Sequence, residues 1–211
     1  MVHGPTSGQR LWHHGYMNLN TDSPGEKPLH PLTVIVGPSG VGKGTVLQQL
    51  VKRFPQIDLS VSATTRPPRA GELDGVHYHF LTPAAFDEAI AAGDFLEWAV
   101  VHGQHRYGTL RTTVERAQDR GRAPVLEIDL DGARQVRTAM PQARFVFLAP
   151  PSWEELERRL RGRGSETEAQ VQRRLKTARM EMAAQDEFDT VIVNDEVDNT
   201  VTQLAQYMQL A

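Results

Sequence analysis

The chain contains no cysteine, which excludes disulfides and thiolate metal sites and is compatible with any redox compartment. It also lacks any apolar run of about 18 residues, the length a membrane-spanning helix needs. Its first residues do not follow the basic-then-apolar layout of a secretory signal. There is no excess of either charge: 23 Lys and Arg stand against 26 Asp and Glu, for a formal net charge of -3 and a pI near 6.2. The field of the whole molecule therefore does not draw nucleic acid, and any anion site has to be built locally. No internal repeat or low-complexity tract stands out. These absences lead to the expectation of a cytoplasmic protein with no membrane or nucleic-acid partner. What remains is 211 residues with a 39% hydrophobic share, enough for one domain with an insertion or two. Residues 1–30 are rich in Gly, Pro, His, Asn, Ser and Thr, show no periodicity, and read as a mobile extension before a domain that runs from 31 to 211.

The most informative stretch is LTVIVGPSGVGKGTVLQQL, Leu32 to Leu50. Its opening run, Leu32 to Val36, is short, β-branched and almost unbroken in apolarity, as in a parallel strand covered on both faces. Further on, Val46, Leu47, Leu50, Val51 and Phe54 fill one side of a helix that Pro55 stops. Between them, Gly37, Pro38, Ser39, Gly40, Val41, Gly42 and Lys43 fit the first seven positions of the phosphate-binding loop. In that loop, glycines let successive N–H groups converge on an anion at the positive end of the helix, and the lysine reaches the β- and γ-phosphates. The eighth position, usually Ser or Thr, is Gly44, and the hydroxyl follows at Thr45. With strand, loop and helix in the required order, a nucleotide site is strongly favoured over a plain glycine turn.

Three more segments read as buried strands: Val125 to Leu130, Phe145 to Leu148 and Val191 to Val193. Helical sequence lies near each. Thr112 with Glu115, Ser152 with Glu155 and Ser165 with Glu168 have capping-box spacing, and Gly121 ends one of these segments. The alternation predicts an α/β domain with a parallel sheet. Two interruptions stand out. Ser60 to Arg111 reads as short strands and turns around one helix from Phe86 to Ala92, with Pro83 as an N1 proline after Thr82. Arg158 to Arg179 is highly charged and helical, with Val171, Leu175, Ala178 and Met182 on one apolar stripe, and has the character of a lid.

The first interruption carries residues that ask for a ligand. Arg66 and Arg69 flank Pro67-Pro68, which stiffen the chain and set how the guanidinium groups project. Rigidly held forks of this kind suit phosphate oxygens, and Tyr78 adds a phenolic donor. Glu97, between Leu96 and Trp98, is a candidate half-buried carboxylate that needs donors. Guanine presents two on one edge, N1–H and N2–H2, whereas adenine N1 is an acceptor. An arginine would cap Glu97 equally well. The histidines His77, His79, His102 and His105 lack metal-ligand spacing with acidic partners and read as ordinary polar residues.

Taken together, GPSGVGKGT, SVSATTRPPRAGE, GVHYHF, FLEWA, YGT, LEIDLDG, FLAPPSWEELERRLRGRGSETE, RRL and VIVND resemble the guanylate kinase family over about Leu32 to Asp195. The Gly-Lys-Gly-Thr variant of the loop is itself familiar among nucleoside monophosphate kinases. The resemblance implies an α/β, P-loop NTPase-like parallel sheet flanked by helices, with core segments 31–60, 112–153 and 185–211, a GMP-binding insertion at 61–111 and a helical lid at 154–184. It implies transfer of the γ-phosphoryl group of ATP to GMP with Mg²⁺, by a monomer or homodimer. Carried onto this chain, Ser62, Glu97 and Thr109 would contact guanine, and Arg66, Arg69, Tyr78 and Tyr107 the GMP phosphate. Glu127 and Asp129 would stand beside GMP and the metal, with Thr45 as the metal contact. Lys43 and the loop Gly37 to Thr45 would hold ATP, with Asn194 and Asp195 near its adenine end. Arg159, Arg163 and Arg174 would close onto the phosphates, joining Arg66 and Lys43 in catalysis.

Two departures from the pattern are visible: Gly44 in place of a hydroxyl, and Asp131 where relatives often carry Gln. Three rival functions are disfavoured by the residues. An enzyme acting on a sugar phosphate such as ribose 1,5-bisphosphate needs no base-edge reader like Glu97. A scaffolding module that binds phosphopeptides needs neither Lys43 nor lid arginines. A regulatory GTPase is disfavoured because VIVNDEVD lacks the lysine of the Asn-Lys-x-Asp motif.

Overall fold

The computed structural model describes residues 30–101, 103–162 and 167–210. The expectation for residues 1–29, and the positions Arg163 and Ser165, lie outside the described residues. Nine strands and seven α-helices are described, in an α/β arrangement. A five-stranded parallel sheet runs β2 (Ile57–Leu59), β7 (Ala123–Glu127), β1 (Thr33–Val36), β8 (Arg144–Ala149), β9 (Thr190–Val193). Its helices are α1 (Lys43–Arg53), α3 (Arg111–Asp119), α4 (Leu130–Ala139) and α7 (Val197–Met208).

The unbroken apolarity of β1 and β8 follows from the two-sided cover. Ile35, Val146 and Leu148 pack with Val46, Leu47 and Leu50 of α1 and Val201 and Leu204 of α7. Val34, Val36, Phe145 and Phe147 face the other way, onto Val114 of α3 and Ala133 and Val136 of α4. Neighbouring residues of one strand thus enter opposite cores, so no alternation is left to read. The register sets Ile35 beside Glu127 and Val36 beside Phe147, which brings the end of β7 level with the loop that follows β1.

Residues between β2 and α3 form a second sheet, ordered β4 (His79–Phe80), β3 (Ala63–Thr64), β6 (His105–Leu110), β5 (Phe95–Val101), with α2 (Pro83–Ala92) against it. It has its own apolar cluster of Ala63, Phe86 and Phe95, the last two stacked with centroids 4.4 Å apart. Thr82 caps α2 by accepting the Ala85 N–H, with a proline at the start of the helix. Leu96 is the anchor to the main body, since it packs into the cluster under α4. A third small cluster joins α5 (Trp153–Arg161) to α6 (Glu168–Ala183) through Leu156, Leu160, Val171, Leu175 and Ala178. Among the described residues no helix is long and apolar enough to cross a membrane.

Several local expectations change. The strand expected from Val125 to Leu130 ends at Glu127, because Asp129 leaves the ladder to cap α4, its Oδ1 accepting the Gly132 N–H at 2.8 Å. The Val191 to Val193 strand is not buried throughout: β9 is an edge strand, and Val191 and Val193 are 41% and 44% exposed while Ile192 is buried. Thr112 does not cap α3, whose N-cap is Leu110 with no side-chain bond. Strand β6 runs straight into that helix, and the Arg111 N–H finds the Asp94 carbonyl instead. The capping box of α6 is made by Thr167 and Gln170, two residues past the expected pair, and it leaves Glu168 free to accept from Arg161. Ser152 caps α5 as expected, but Glu155 turns to Arg158 and Arg159 rather than back to the cap. Met182 leaves the stripe of α6 and packs against the cluster under α4.

Candidate active site

The loop between β1 and α1 has the backbone its glycines allow. Gly40 and Gly42 have φ of 88° and 101°, in the region that L side chains avoid. At Gly37 a Cβ would stand 2.4 Å from the Leu148 carbonyl oxygen, so the loop presses directly on β8. Gly42 is the N-cap of α1 with no side-chain cap, which leaves helix N–H groups for an anion. Ser39, Gly40, Gly42, Lys43, Gly44, Thr45 and Glu127 line a cavity of about 270 Å³ there. Gly44 is not a steric necessity, for a Cβ would meet nothing within 4 Å; its hydroxyl is simply missing, and exposed Thr45 is the next one available.

Lys43 donates from Nζ to the Gly37 carbonyl at 2.6 Å. Burial lowers its pKa, and the carboxylates of Glu127, Glu181 and Asp129 oppose that shift. Glu181 was not among the residues singled out from sequence. Its own pKa is raised by burial, with the Lys43 charge and the Ser39 N–H pulling the other way, and its Oε2 is buried without a hydrogen-bond partner. It lies two helical turns past Arg174 on α6, and Arg174 donates to the Ser39 hydroxyl at 2.8 Å. That seven-residue spacing, which puts an arginine and a glutamate on one face, was the available signal.

From α5, Arg159 donates to the Val41 carbonyl at 3.1 Å and to Glu155 at 2.7 Å. Both candidate lid helices therefore already reach the loop. Asn194 is placed beneath the loop instead of facing open space: its amide donates to the Val41 carbonyl at 2.7 Å and accepts from Thr200 at 3.0 Å. It is 4% exposed, so its polar capacity serves the loop's shape. Asp195 next to it is exposed and accepts the Glu196 N–H.

Across the cleft, the antiparallel pairing of β5 with β6 puts Glu97 opposite Thr109. The Thr109 hydroxyl donates to Glu97 Oε1 at 2.7 Å, and Glu97 is only 8% exposed. Burial raises its pKa; the Thr109 hydrogen bond works against the shift and nearby Asp129 adds to it. Gly108 must be glycine, since a Cβ would come within 2.6 Å of the Glu97 carbonyl oxygen. Ser62 is partly buried at the entry to β3, its carbonyl accepting from His79.

Arg66, Tyr78 and Tyr107 meet on the same sheet. The Tyr78 and Tyr107 rings are 5.8 Å apart edge to face, and the Arg66 guanidinium lies 5.4 Å from the Tyr78 ring. What aims Arg66 is Glu72, to which the sequence alone assigns no role: both its oxygens take Arg66 Nη2, at 2.8 and 2.9 Å, and one also takes the Arg69 N–H at 2.7 Å. The two prolines do not project both guanidinium groups alike, because Arg69 is exposed. Asp129 stands between the two halves, acting on Lys43 and on Glu97 alike. Asp131 sits at the rim with Arg134, 3.3 Å away. Among the described residues no group of three or more His, Asp or Glu side chains is arranged to hold a metal ion.

The family model described as Guanylate kinase matches residues 30–211. Curated relatives include the guanylate kinase of Cutibacterium acnes, 56% identical over 182 residues that cover 85% of this chain and 92% of that protein. Another is the guanylate kinase of Leifsonia xyli subsp. xyli, 56% identical over 179 residues, covering 85% of this chain and 70% of the relative. Among solved structures, guanylate kinase from Anaplasma phagocytophilum is 32% identical with a TM-score of 0.64, covering 86% of this chain and 85% of that one.

Proposed function

The chain belongs to the guanylate kinase family, and from that premise we propose how its residues carry out ATP-dependent phosphorylation of GMP to GDP. In that reaction an oxygen of the GMP phosphate attacks the γ-phosphorus of ATP, the bond to the β–γ bridging oxygen breaks, and ADP leaves with the electron pair. The nucleophile is already anionic, so no general base is needed, and catalysis is positioning and charge neutralisation. The loop Gly37 to Thr45 receives the ATP phosphates, with Lys43 following charge to the β–γ bridge. Asp195 borders the adenine end, and Asn194 acts by holding the loop from below.

The insertion at 61–111 is the GMP site. Ser62, Glu97 and Thr109 read guanine, and Arg66, Arg69, Tyr78 and Tyr107 take its phosphate. Segment 154–184 is the lid, and Arg159, Arg163 and Arg174 neutralise the transferring group as it closes. An arginine arriving in the transition state is worth about 10³- to 10⁵-fold in rate, and closure excludes water that would hydrolyse ATP. Mg²⁺ would be held mainly by ATP phosphates, and the donors this chain offers it are Thr45 and Glu127, which line the same cavity, with Asp129 nearby, as suits a cation that keeps few protein ligands. Bound there, it would neutralise charge on the phosphate oxygens. We also place the enzyme in the cytoplasm, as a monomer or homodimer acting on free nucleotides.

The observation that carries the reading is a buried carboxylate, Glu97, held at one oxygen by Thr109 and under the influence of Asp129, which also acts on Lys43 of the phosphate loop. A guanine edge supplies its missing donors; adenine or a bare sugar phosphate does not, and sites built to pair a substrate N–H reject analogues lacking it by about 10⁴- to 10⁵-fold. The test is ADP formation from Mg-ATP with GMP, AMP or ribose 1,5-bisphosphate, by the unaltered protein and by Lys43→Ala. Turnover with GMP alone is expected, and Lys43→Ala should cut kcat at least a hundredfold while GMP affinity measured by titration changes less than threefold. Equal turnover with AMP would remove Glu97 as the reader, and undiminished kcat in the variant would remove Lys43 from the chemistry.

A further inference from the structure

We propose that Gln135, on the main body of the molecule, is a positioning residue for guanine recognition, locking the strand that carries Glu97. The inference rests on the reading of Glu97 given above. Strand β5 is the outer strand of the second sheet, and an outer strand leaves every other N–H and C=O without a ladder partner. At Trp98, the residue after Glu97, those groups are both taken by one side chain from α4. Gln135 Oε1 accepts the Trp98 N–H at 3.1 Å, and Gln135 Nε2 donates to the Trp98 carbonyl at 3.2 Å. A primary amide has a donor and an acceptor in the geometry of a peptide group, so it substitutes for one residue of a neighbouring strand. A carboxylate, ammonium or hydroxyl of similar reach cannot satisfy both bonds in that way.

The same helix meets Glu97 itself one turn earlier. A Cβ at Gly132 would stand 3.3 Å from Glu97 Oε2 and 3.1 Å from Asp129 Oδ1, so the carboxylate lies against the first turn of α4. Residues three apart share a helix face, which puts the contact at 132 and the amide at 135 on the side that faces β5. Thr109 fixes one carboxylate oxygen from within the sheet; Gln135 fixes the strand backbone relative to the main body. The register shift between Phe95 and Glu97 shows why such a lock is needed, since a bulge lets a strand re-aim the side chain that follows it. With the amide in place, the strand presents Oε2 at one height against the first turn of α4.

Gln135→Met tests this by keeping length and helix preference while removing both bonds. Gln135→Glu keeps the acceptor and sets a second oxygen against the Trp98 carbonyl. Steady-state kinetics with GMP and with IMP, which lacks the 2-amino group, give the readout, alongside thermal unfolding to confirm folding. Both variants should raise the KM for GMP about three- to tenfold and shrink the preference for GMP over IMP, with the KM for ATP unchanged within twofold. Because Gln135 acts through Glu97, Glu97→Gln combined with Gln135→Met should show the same GMP-to-IMP ratio as Glu97→Gln alone. Unaltered GMP kinetics in Gln135→Met, equal losses for ATP and GMP, or additive effects in the double variant would overturn the role of Gln135 while leaving Glu97 as the reader. A Glu97→Gln protein with undiminished preference for GMP would overturn both.

Discussion

Glu97 and Lys43 are opposite charges treated alike by the fold: each is pressed into a site where burial disfavours its ionised form. For Lys43 three carboxylates oppose the shift, which keeps an ammonium ready for phosphate. For Glu97 the shift is upward from 4.5, and this has two consequences of opposite sign. Between the ordinary carboxylate range and its raised value, the native state holds a proton that the unfolded chain has released, so this contribution to stability is present at low pH and lost as pH rises through the native pKa. Guanine N–H groups need the carboxylate, so GMP binding improves over the same interval. The KM for GMP should therefore fall as pH rises through a midpoint above 4.5, the KM for ATP should not share that limb, and Glu97→Gln should abolish it. A limb that persists in the variant would assign it to another group.

At the scale of elements, the phosphate loop is held from below as much as it is shaped by its glycines. The first turn of α7 supplies Thr200, which fixes Asn194, which in turn holds the Val41 carbonyl; Arg159 of α5 takes the same carbonyl from above. Asn194→Ala would leave one side of the Val41 carbonyl unsatisfied, while the Thr200 hydroxyl keeps the Glu196 carbonyl at 3.1 Å, in a place that packs within 2.8 Å of where a Gly42 Cβ would lie. The expected loss is about 1–3 kcal/mol of stability by denaturant unfolding. A rise in the KM for ATP that exceeds any change for GMP should accompany it. A variant as stable as the parent would mean that water replaces the amide. Sequence alone marked VIVND as important but could not say that the asparagine points into the protein, because its partners lie 153 and 6 residues away.

The described residues divide into three apolar bodies: the two-faced parallel sheet, the second sheet with its Phe86–Phe95 stack, and the α5–α6 pair with its own small cluster. The two outer bodies are tied to the main one by few apolar side chains, Leu96 of β5 and Met182 of α6, so they can turn about those contacts with little unpacking, and the site lies where all three meet. Hydrogen exchange should show this directly. With a non-hydrolysable ATP analogue and GMP together, amides in 61–111 and 154–184 should slow at least threefold, while those of β1, β7 and β8 keep their free-state rates. Protection confined to the phosphate loop would mean that the outer bodies are already in place and that closure plays no part.

By itself the sequence determined the strand–loop–helix unit, the nucleotide chemistry and the family, since a short apolar run, glycines at fixed spacing and a lysine are local facts with local causes. It also placed the helix after Thr82 and the cap at Ser152, where the signal spans one turn of chain. Tertiary structure alone decided that β9 is an edge strand, that Glu72 aims Arg66, and that Glu181 and Gln135 approach the site at all. Each of these depends on partners brought together by packing, across separations from six residues to more than a hundred. Chain spacing holds no record of such meetings, because burial and hydrogen-bond geometry are properties of the assembled layers.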